Sequence, residues 1–504
     1  MDKFSSERSS KLFYNPTRMS TTFPSFVLSK DNRVYLLVAV IGAIIQLIIF
    51  KLCYPYADFF SDSYSYIFAA AARYDVNIWP IGYSKFLLLF RHITSSDTAV
   101  VAFQYLFGQL IALYFFFTLL FFYTPSRQIS TIIFVGLFFN PLLLYLSNYI
   151  SSDSLFLGLS LLWVVQLLWI IHRPRPYQVF VHALLIAVLF TLRYNAMFYP
   201  IISAIALLIS KRAVIWKLAG IALPLVLILL FVNHTKNSAY ALTGTRQFSI
   251  FGGWQLANNA LYMYPYITED GQPPVECQEF DQEVKTFFAK YHENAKTVSP
   301  RDGAFYIKFP KAPLKKYLAD HFDDNKDSTF GIATWGAVAP IYSSYGKFLT
   351  LRHPFAFTRY FLMPNVLNYC LPPLEKLEVY NLGQEEVYPL AARWFHYPST
   401  HVKAISLNIQ GAILLLFPSI FLVANLFFIW ALILWIKTRR ARVKDVPFQQ
   451  ALLIIGLLLL ANFGFSVLAS PIVFRYQVFP MILCFSFSLL TAERLGMFSP
   501  PPGS

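Results

Sequence analysis

Apolar runs about as long as a bilayer is thick recur along this chain, and they limit its fold more than any other feature. A helix needs about 20 predominantly apolar residues to cross the hydrocarbon core. Runs of that order occupy residues 34–53, 99–123, 129–147, 153–171, 213–232, 409–436, 448–469 and 472–490, with two shorter ones at 178–193 and 196–210. In lipid, backbone polar groups have no water to bond, so such runs pair internally as helices. The expectation is an all-α polytopic membrane protein with about ten transmembrane helices, nine to eleven depending on how the short pair at 178–210 folds. Composition agrees, with 57% hydrophobic and 13% charged residues over 504 positions.

Charge placement sets the orientation. Lys3, Arg8, Lys11, Arg18, Lys30 and Arg33 precede the first run, and alternate connections carry Arg127, then Arg173 and Arg175, then Lys211, Arg212 and Lys217, then the basic stretch 437–445, then Arg494. These short segments hold most of the formal net charge of +15, while the long segment 234–403 is nearly balanced. The positive-inside rule therefore puts both termini in the cytoplasm. It accounts for the basicity without a nucleic-acid partner.

The expected organisation is a cytoplasmic tail (1–33), an N-terminal transmembrane module with an outer loop at 54–98 (34–233), an outward-facing, mixed and mainly helical domain (234–403), and a C-terminal transmembrane module (404–504). The tail lacks the apolar centre and cleavage site of a removable signal. Within the outer loop, "NIWPIGYSKFLLLFRHI" has helical spacing suited to the membrane interface, with Trp79 and Tyr83 at headgroup level. "FGGWQLANNALYMYPY" opens the outer domain as a packed turn or a lid. Cys277 and Cys370 fall in that domain and either pair or stay free.

Charged groups beside membrane spans are costly and usually face a cavity. Asp62 in "SDSYSYIFAAAARY", Asp153 in "SNYISSDSLFLGL", Arg193 in "LFTLRYNAMFYP" and Arg475 in "SPIVFRYQVFP" all fall at the outward ends of their spans. Each has a plainer reading. Asp62 and Asp153 precede helices and suit N-capping, and the arginines suit snorkelling to headgroup phosphates. Their joint occurrence favours one shared site. Asp58, four residues before Asp62, is the weaker acid because "YPYADFF" reads as irregular chain.

The order of "SDSYSYIFAAAARY", "WPIGYSKFLLLF", "NPLLLYLSNYISSDSLFLGLSLLW", "VLFTLRYNAMFYP" and "FRYQVFPMI" resembles the C superfamily of membrane glycosyltransferases (the GT-C fold). More narrowly, it is similar to the bacterial branch of protein O-mannosyltransferases and lipid A aminoarabinose transferases. The likeness covers residues 34 to about 232 and 448 to 490, not the outer domain. It implies an enzyme of the bacterial inner membrane that works on the periplasmic face. Such an enzyme moves a sugar from a polyprenyl-phosphate or diphosphate carrier to an acceptor hydroxyl, with inversion. The acceptor class spans protein, glycolipid and polysaccharide. On this resemblance Asp62 is the catalytic base and Asp153 the second acid, while Arg193, Arg475 and Tyr476 bind the donor phosphate. Asp58, Tyr66, Tyr83, Tyr194 and Asn195 are candidates to line the substrate. The resemblance fixes no cofactor: some relatives hold a divalent metal, for which Asp62 and Asp153 are the candidate ligands here, and metal dependence stays open. The mannosyltransferase pattern has an acidic pair where this chain has Asp62 and Ser63, so sugar and acceptor stay open.

The chemistry suits those residue types. A carboxylate accepts the proton of the attacking hydroxyl, and a guanidinium offers planar donors to a departing phosphate. The nine histidines show no HxxxH or HExxH spacing for a zinc hydrolase, and no phosphate-binding GxxxxGK[ST] loop is present. The competing reading is a flippase or secondary transporter for a lipid-linked or anionic solute, in which the same charges line a pathway.

Overall fold

A computed structural model describes residues 22–322, 331–438 and 445–498. Lys3, Arg8, Lys11 and Arg18 of the tail, and residues 439–444 of the last basic connection, lie outside the described residues. The described chain is helical, with no strand and two isolated bridges, Asp58 with Tyr149 and Glu386 with His401.

Seven helices among the described residues are long and apolar enough to cross a membrane: Lys30–Cys53, Asp97–Tyr123, Arg127–Asn148, Asp153–His172, Val214–Thr243, Ile409–Lys437 and Val446–Ala469. Their burial separates hub from rim. Protein covers 83% of the apolar window of Asp153–His172 but only 11% of that of Val214–Thr243. A helix apolar on all sides and left mostly uncovered by protein needs lipid around it, so the fold is that of a helical membrane protein.

Other expected spans come out shorter. The 178–210 pair forms Tyr177–Leu192 and Tyr199–Ile209, joined by the 3-10 turn Tyr194–Phe198. The run at 448–469 forms Val446–Ala469 and ends before Pro471, which disfavours helical geometry at Ser470, while the last run, 472–490, becomes helical only at Val478–Arg494, after a 3-10 turn at Phe474–Tyr476.

The helix ends are tied together at two opposite sets of connections. In one set, Ile405 N–H donates to Cys53 O at 2.8 Å, Ile150 N–H to Asp58 O at 3.1 Å, and the Asn365 amide to Ser470 O at 2.8 Å. In the other, Ser126 N–H donates to Glu493 at 2.7 Å and Arg494 pairs with Asp445 at 2.9 Å.

Two large hydrophobic cores result, beside a small third cluster of Ala69, Val76, Ile78, Ile81, Ala239, Ile250 and Ile332. The larger fills the bundle and also takes Tyr369, Leu377, Tyr380 and Phe395 from the long outer segment. The second gathers Trp254, Tyr262, Phe280, Tyr306, Tyr342 and Phe361. The segment 234–403 is thus shared between the cores, and Val214–Thr243 runs unbroken past residue 234. The "FGGW" stretch is part of the helix Ile250–Leu261, not a turn. It packs on Ile332–Arg352, where a Cβ at Gly346 would lie 2.6 Å from the Leu256 backbone. All four cysteines are free, so Cys277 and Cys370 do not pair.

The outer loop folds as Ser61–Ala71 and Gly82–Arg91. Tyr83 faces the protein interior: it is fully buried and donates its hydroxyl to Gln104 at 2.9 Å, a partner on the neighbouring span. Trp79 packs on Phe251, with ring centroids 4.3 Å apart. Gly82 explains part of the PIGY motif, because a Cβ there would come within 2.7 Å of the Thr191 backbone. Only glycine lets this helix approach the chain two residues before Arg193.

Candidate functional site

The two acids lie in the first turns of their helices, yet neither is spent on capping. Ser63 Oγ accepts the Phe60 N–H at 3.1 Å, and Ser151 Oγ accepts the Asp153 N–H at 3.3 Å. The serine that breaks the acidic pair of the resembled family therefore fixes the helix start. Both carboxylates are left for other partners.

Those partners come from remote parts of the chain. Asp153 bonds Arg193 through Oδ1 and Arg475 Nη1 through Oδ2 at 3.0 Å. Arg475 Nη2 lies 3.5 Å from Asp62 Oδ2, and Lys376 Nζ lies 3.4 Å from Asp62 Oδ1. Glu375 Oε2 stands 4.0 Å from Arg475 Nε, and its other oxygen pairs with Lys308 at 2.6 Å. Arg475 is 9% exposed, so it does not snorkel. Its guanidinium lies 4.9 Å from the Phe60 ring and 4.7 Å from the Tyr476 ring, and Arg193 lies 4.1 Å from the latter. Arg475 also donates to the Tyr476 hydroxyl at 2.8 Å.

Loop geometry holds the late members in place. Phe474 N–H donates to Pro373 O at 2.9 Å, and Tyr149 OH donates to Lys376 O at 2.5 Å, so the 373–376 loop is pinned beside Arg475. Glu375 takes a left-handed φ of 55°, which costs a non-glycine residue about 1–2 kcal/mol. Burial pushes its carboxyl up, but Arg475, Lys376 and Lys308 more than offset that and hold it at about 2. Burial lowers the Lys376 ammonium, against the attraction of Asp62.

The network borders a cavity of about 960 Å³ lined by Asp62, Tyr66, Asp153, Arg193, Tyr194 and Asn195, and also by Arg475 and Tyr476. Tyr66 is steadied by a hydroxyl contact to Ser152 at 3.2 Å. Two expected lining residues fall elsewhere. Asp58 is buried in the wall, where it accepts the Asn381 N–H at 2.8 Å, and burial pushes its carboxyl up to about 8. Tyr83 is held by Gln104, away from the lining.

Sequence reasoning missed Lys308, Glu375 and Lys376. The only signal was the adjacent opposite charges of "LPPLEKL", and Lys308 in "FYIKFP" gave none.

Four cations (Lys308, Lys376, Arg193, Arg475) thus face three carboxylates (Asp62, Asp153, Glu375), an excess that favours a bound anion. The acids do not fit a divalent metal. The Arg475 guanidinium stands between Asp62 and Asp153, and Arg193 takes the remaining Asp153 oxygen. Among the described residues no group of three His, Cys, Asp or Glu gathers as a metal site.

Fold and site together define a helical membrane protein with a largely buried ion-pair network bordering a cavity at its helix ends. Compared with known proteins, the chain matches no family model, no curated protein and no solved structure.

Proposed function

We propose that this chain is an inverting, membrane-embedded glycosyltransferase that takes a sugar from a polyprenyl-phosphate or diphosphate carrier and passes it to an acceptor hydroxyl. The observation that carries the reading is the meeting of Asp62, Asp153, Arg193 and Arg475 around one cavity, from four connections far apart in the chain. Asp62 accepts the acceptor's hydroxyl proton as the new C1–O bond forms. The bond from C1 to the carrier phosphate breaks, and its electron pair leaves on the phosphate oxygen. Arg475, Arg193 and Lys376 meet that charge with donors already oriented by Asp153, Tyr476 and Asp62. A polyprenyl tail is worth about 0.8 kcal/mol per buried CH₂, so the site belongs at the membrane surface.

The membrane arrangement that goes with this reading has ten crossings: the seven long helices, the pair Tyr177–Leu192 and Tyr199–Ile209, and Val478–Arg494. Both termini are then cytoplasmic, and the cavity opens on the periplasmic face of a bacterial inner membrane. Every connection that contributes to the network then falls on one side. The transporter reading has less support, because its charges belong near the bilayer midplane and these lie at helix ends.

The test is purified protein incubated with a panel of polyprenyl-phosphate sugars, scored by release of carrier. Asp62→Asn is expected to lower transfer by about 10²- to 10⁴-fold while the protein still folds. Wild-type turnover by that variant defeats the assignment of the base.

A further inference from the structure

The cavity has a second wall, built by the smaller core, and its chemistry differs from that of the ion-pair network. Lys315, on the helix Pro313–Phe322, contributes its only cation that makes no ion pair among the described residues. Its ammonium lies 4.2 Å from the Trp335 ring centroid and 5.5 Å from that of Trp254. Arg193, Lys308, Lys376 and Arg475 all have carboxylate partners.

The rings around Lys315 are held rigidly. Trp254 is fully buried, stacks on Trp335 at 4.0 Å and donates its indole N–H to the Trp335 carbonyl at 3.1 Å. Phe251 lies nearly parallel to Trp335, and Trp79 packs on Phe251. Trp79, Phe251 and Trp335 all line the cavity. Flat aromatic faces offer area to the C–H face of a sugar ring at low entropic cost, and an ammonium beside them pairs with a negative group on that sugar. Burial lowers the Lys315 ammonium to about 8, a cost that an incoming anion reverses.

Resting on the transfer reading above, we propose that this wall is the acceptor subsite and that it selects a sugar bearing a carboxylate or phosphate group. The donor phosphate goes to the arginines beside Asp62, which leaves the Lys315–Trp335 wall to hold the acceptor.

The experiment titrates the full-length protein with methyl glucuronide, glucose 6-phosphate, methyl glucoside and inorganic phosphate, each followed by calorimetry. At least one acidic sugar is expected to bind about tenfold more tightly than methyl glucoside, the size of one charge-assisted hydrogen bond. Lys315→Met, which keeps an apolar stem over Trp335, is expected to erase that preference and keep the residual binding of methyl glucoside. The proposal is overturned if neither acidic sugar exceeds methyl glucoside, if Lys315→Met keeps the preference, or if inorganic phosphate alone binds as tightly as the sugars. Binding is read here without turnover, so these outcomes strike the subsite alone. Failure of every polyprenyl-phosphate sugar to release carrier strikes the transfer reading instead.

Discussion

The two sets of helix connections are both rich in charge, but the cavity set gathers four cations and three carboxylates into one network, whereas the other, among the described residues, buries a single ion pair, Arg494 with Asp445. At the cavity, Arg475 is buried among three carboxylates drawn from distant segments. In the other set, Arg173 is only partly buried, makes no ion pair among the described residues, and lies 4.6 Å from the Phe121 ring. A charge at a helix end is ordinary and cheap while water or headgroups can reach it. Burying it requires partners, and assembling those partners from remote chain is what makes a site.

Removing charges one at a time tests this contrast. Arg475→Ala leaves Asp153 and Asp62 short of a cation in a poorly solvated place, and is expected to cost about 3–5 kcal/mol in stability. Arg173→Ala loses only a ring contact and is expected to cost about 0.5–1 kcal/mol. Equal shifts in thermal unfolding midpoint for the two variants, in detergent, contradict the distinction.

An effect between those two is expected from Gly82→Ala. The added methyl meets the Thr191 backbone and pushes the two helices apart, at about 1–3 kcal/mol. Because Arg193 follows two residues later, carrier release is expected to fall as well; full activity with unchanged melting shows that the close approach is not needed.

A change that appears only with pH concerns Asp58, whose carboxyl is pushed up to about 8 by burial. A carboxyl with a folded pKa above its unfolded value of about 3.9 holds its proton more tightly when folded. Its contribution is therefore full below the unfolded value and lost as pH rises through about 8. Asp58→Asn keeps an oxygen for the Asn381 N–H, so it is expected to melt like the wild type near pH 4 and to lose less stability up to pH 9, roughly one further unit beyond the folded pKa. Parallel pH profiles for the two proteins remove Asp58 as a buried acid.

Much of the site was legible because Asp62, Asp153, Arg193 and Arg475 break strongly apolar surroundings, and a charge there stands out against its cost. Glu375, Lys376 and Lys308 lie in a segment where acids and bases are common, so nothing local marked them. Asp58 and Tyr83 were misplaced for the converse reason. Both are near Asp62 in sequence, but a backbone bridge to the 148–150 turn and the Gln104 acceptor draw them into the wall.

Hydropathy alone determined that this chain is a bundle of membrane helices, because the cost of an unpaired peptide group in lipid leaves no alternative for runs of that length. Which charges neutralise one another was decided only by tertiary structure. Ion pairing depends on separations of a few ångströms, and those arise where Gly82 lets two helices touch, where a 3-10 turn carries Arg475 ahead of Val478–Arg494, and where the 373–376 loop is stitched to Phe474.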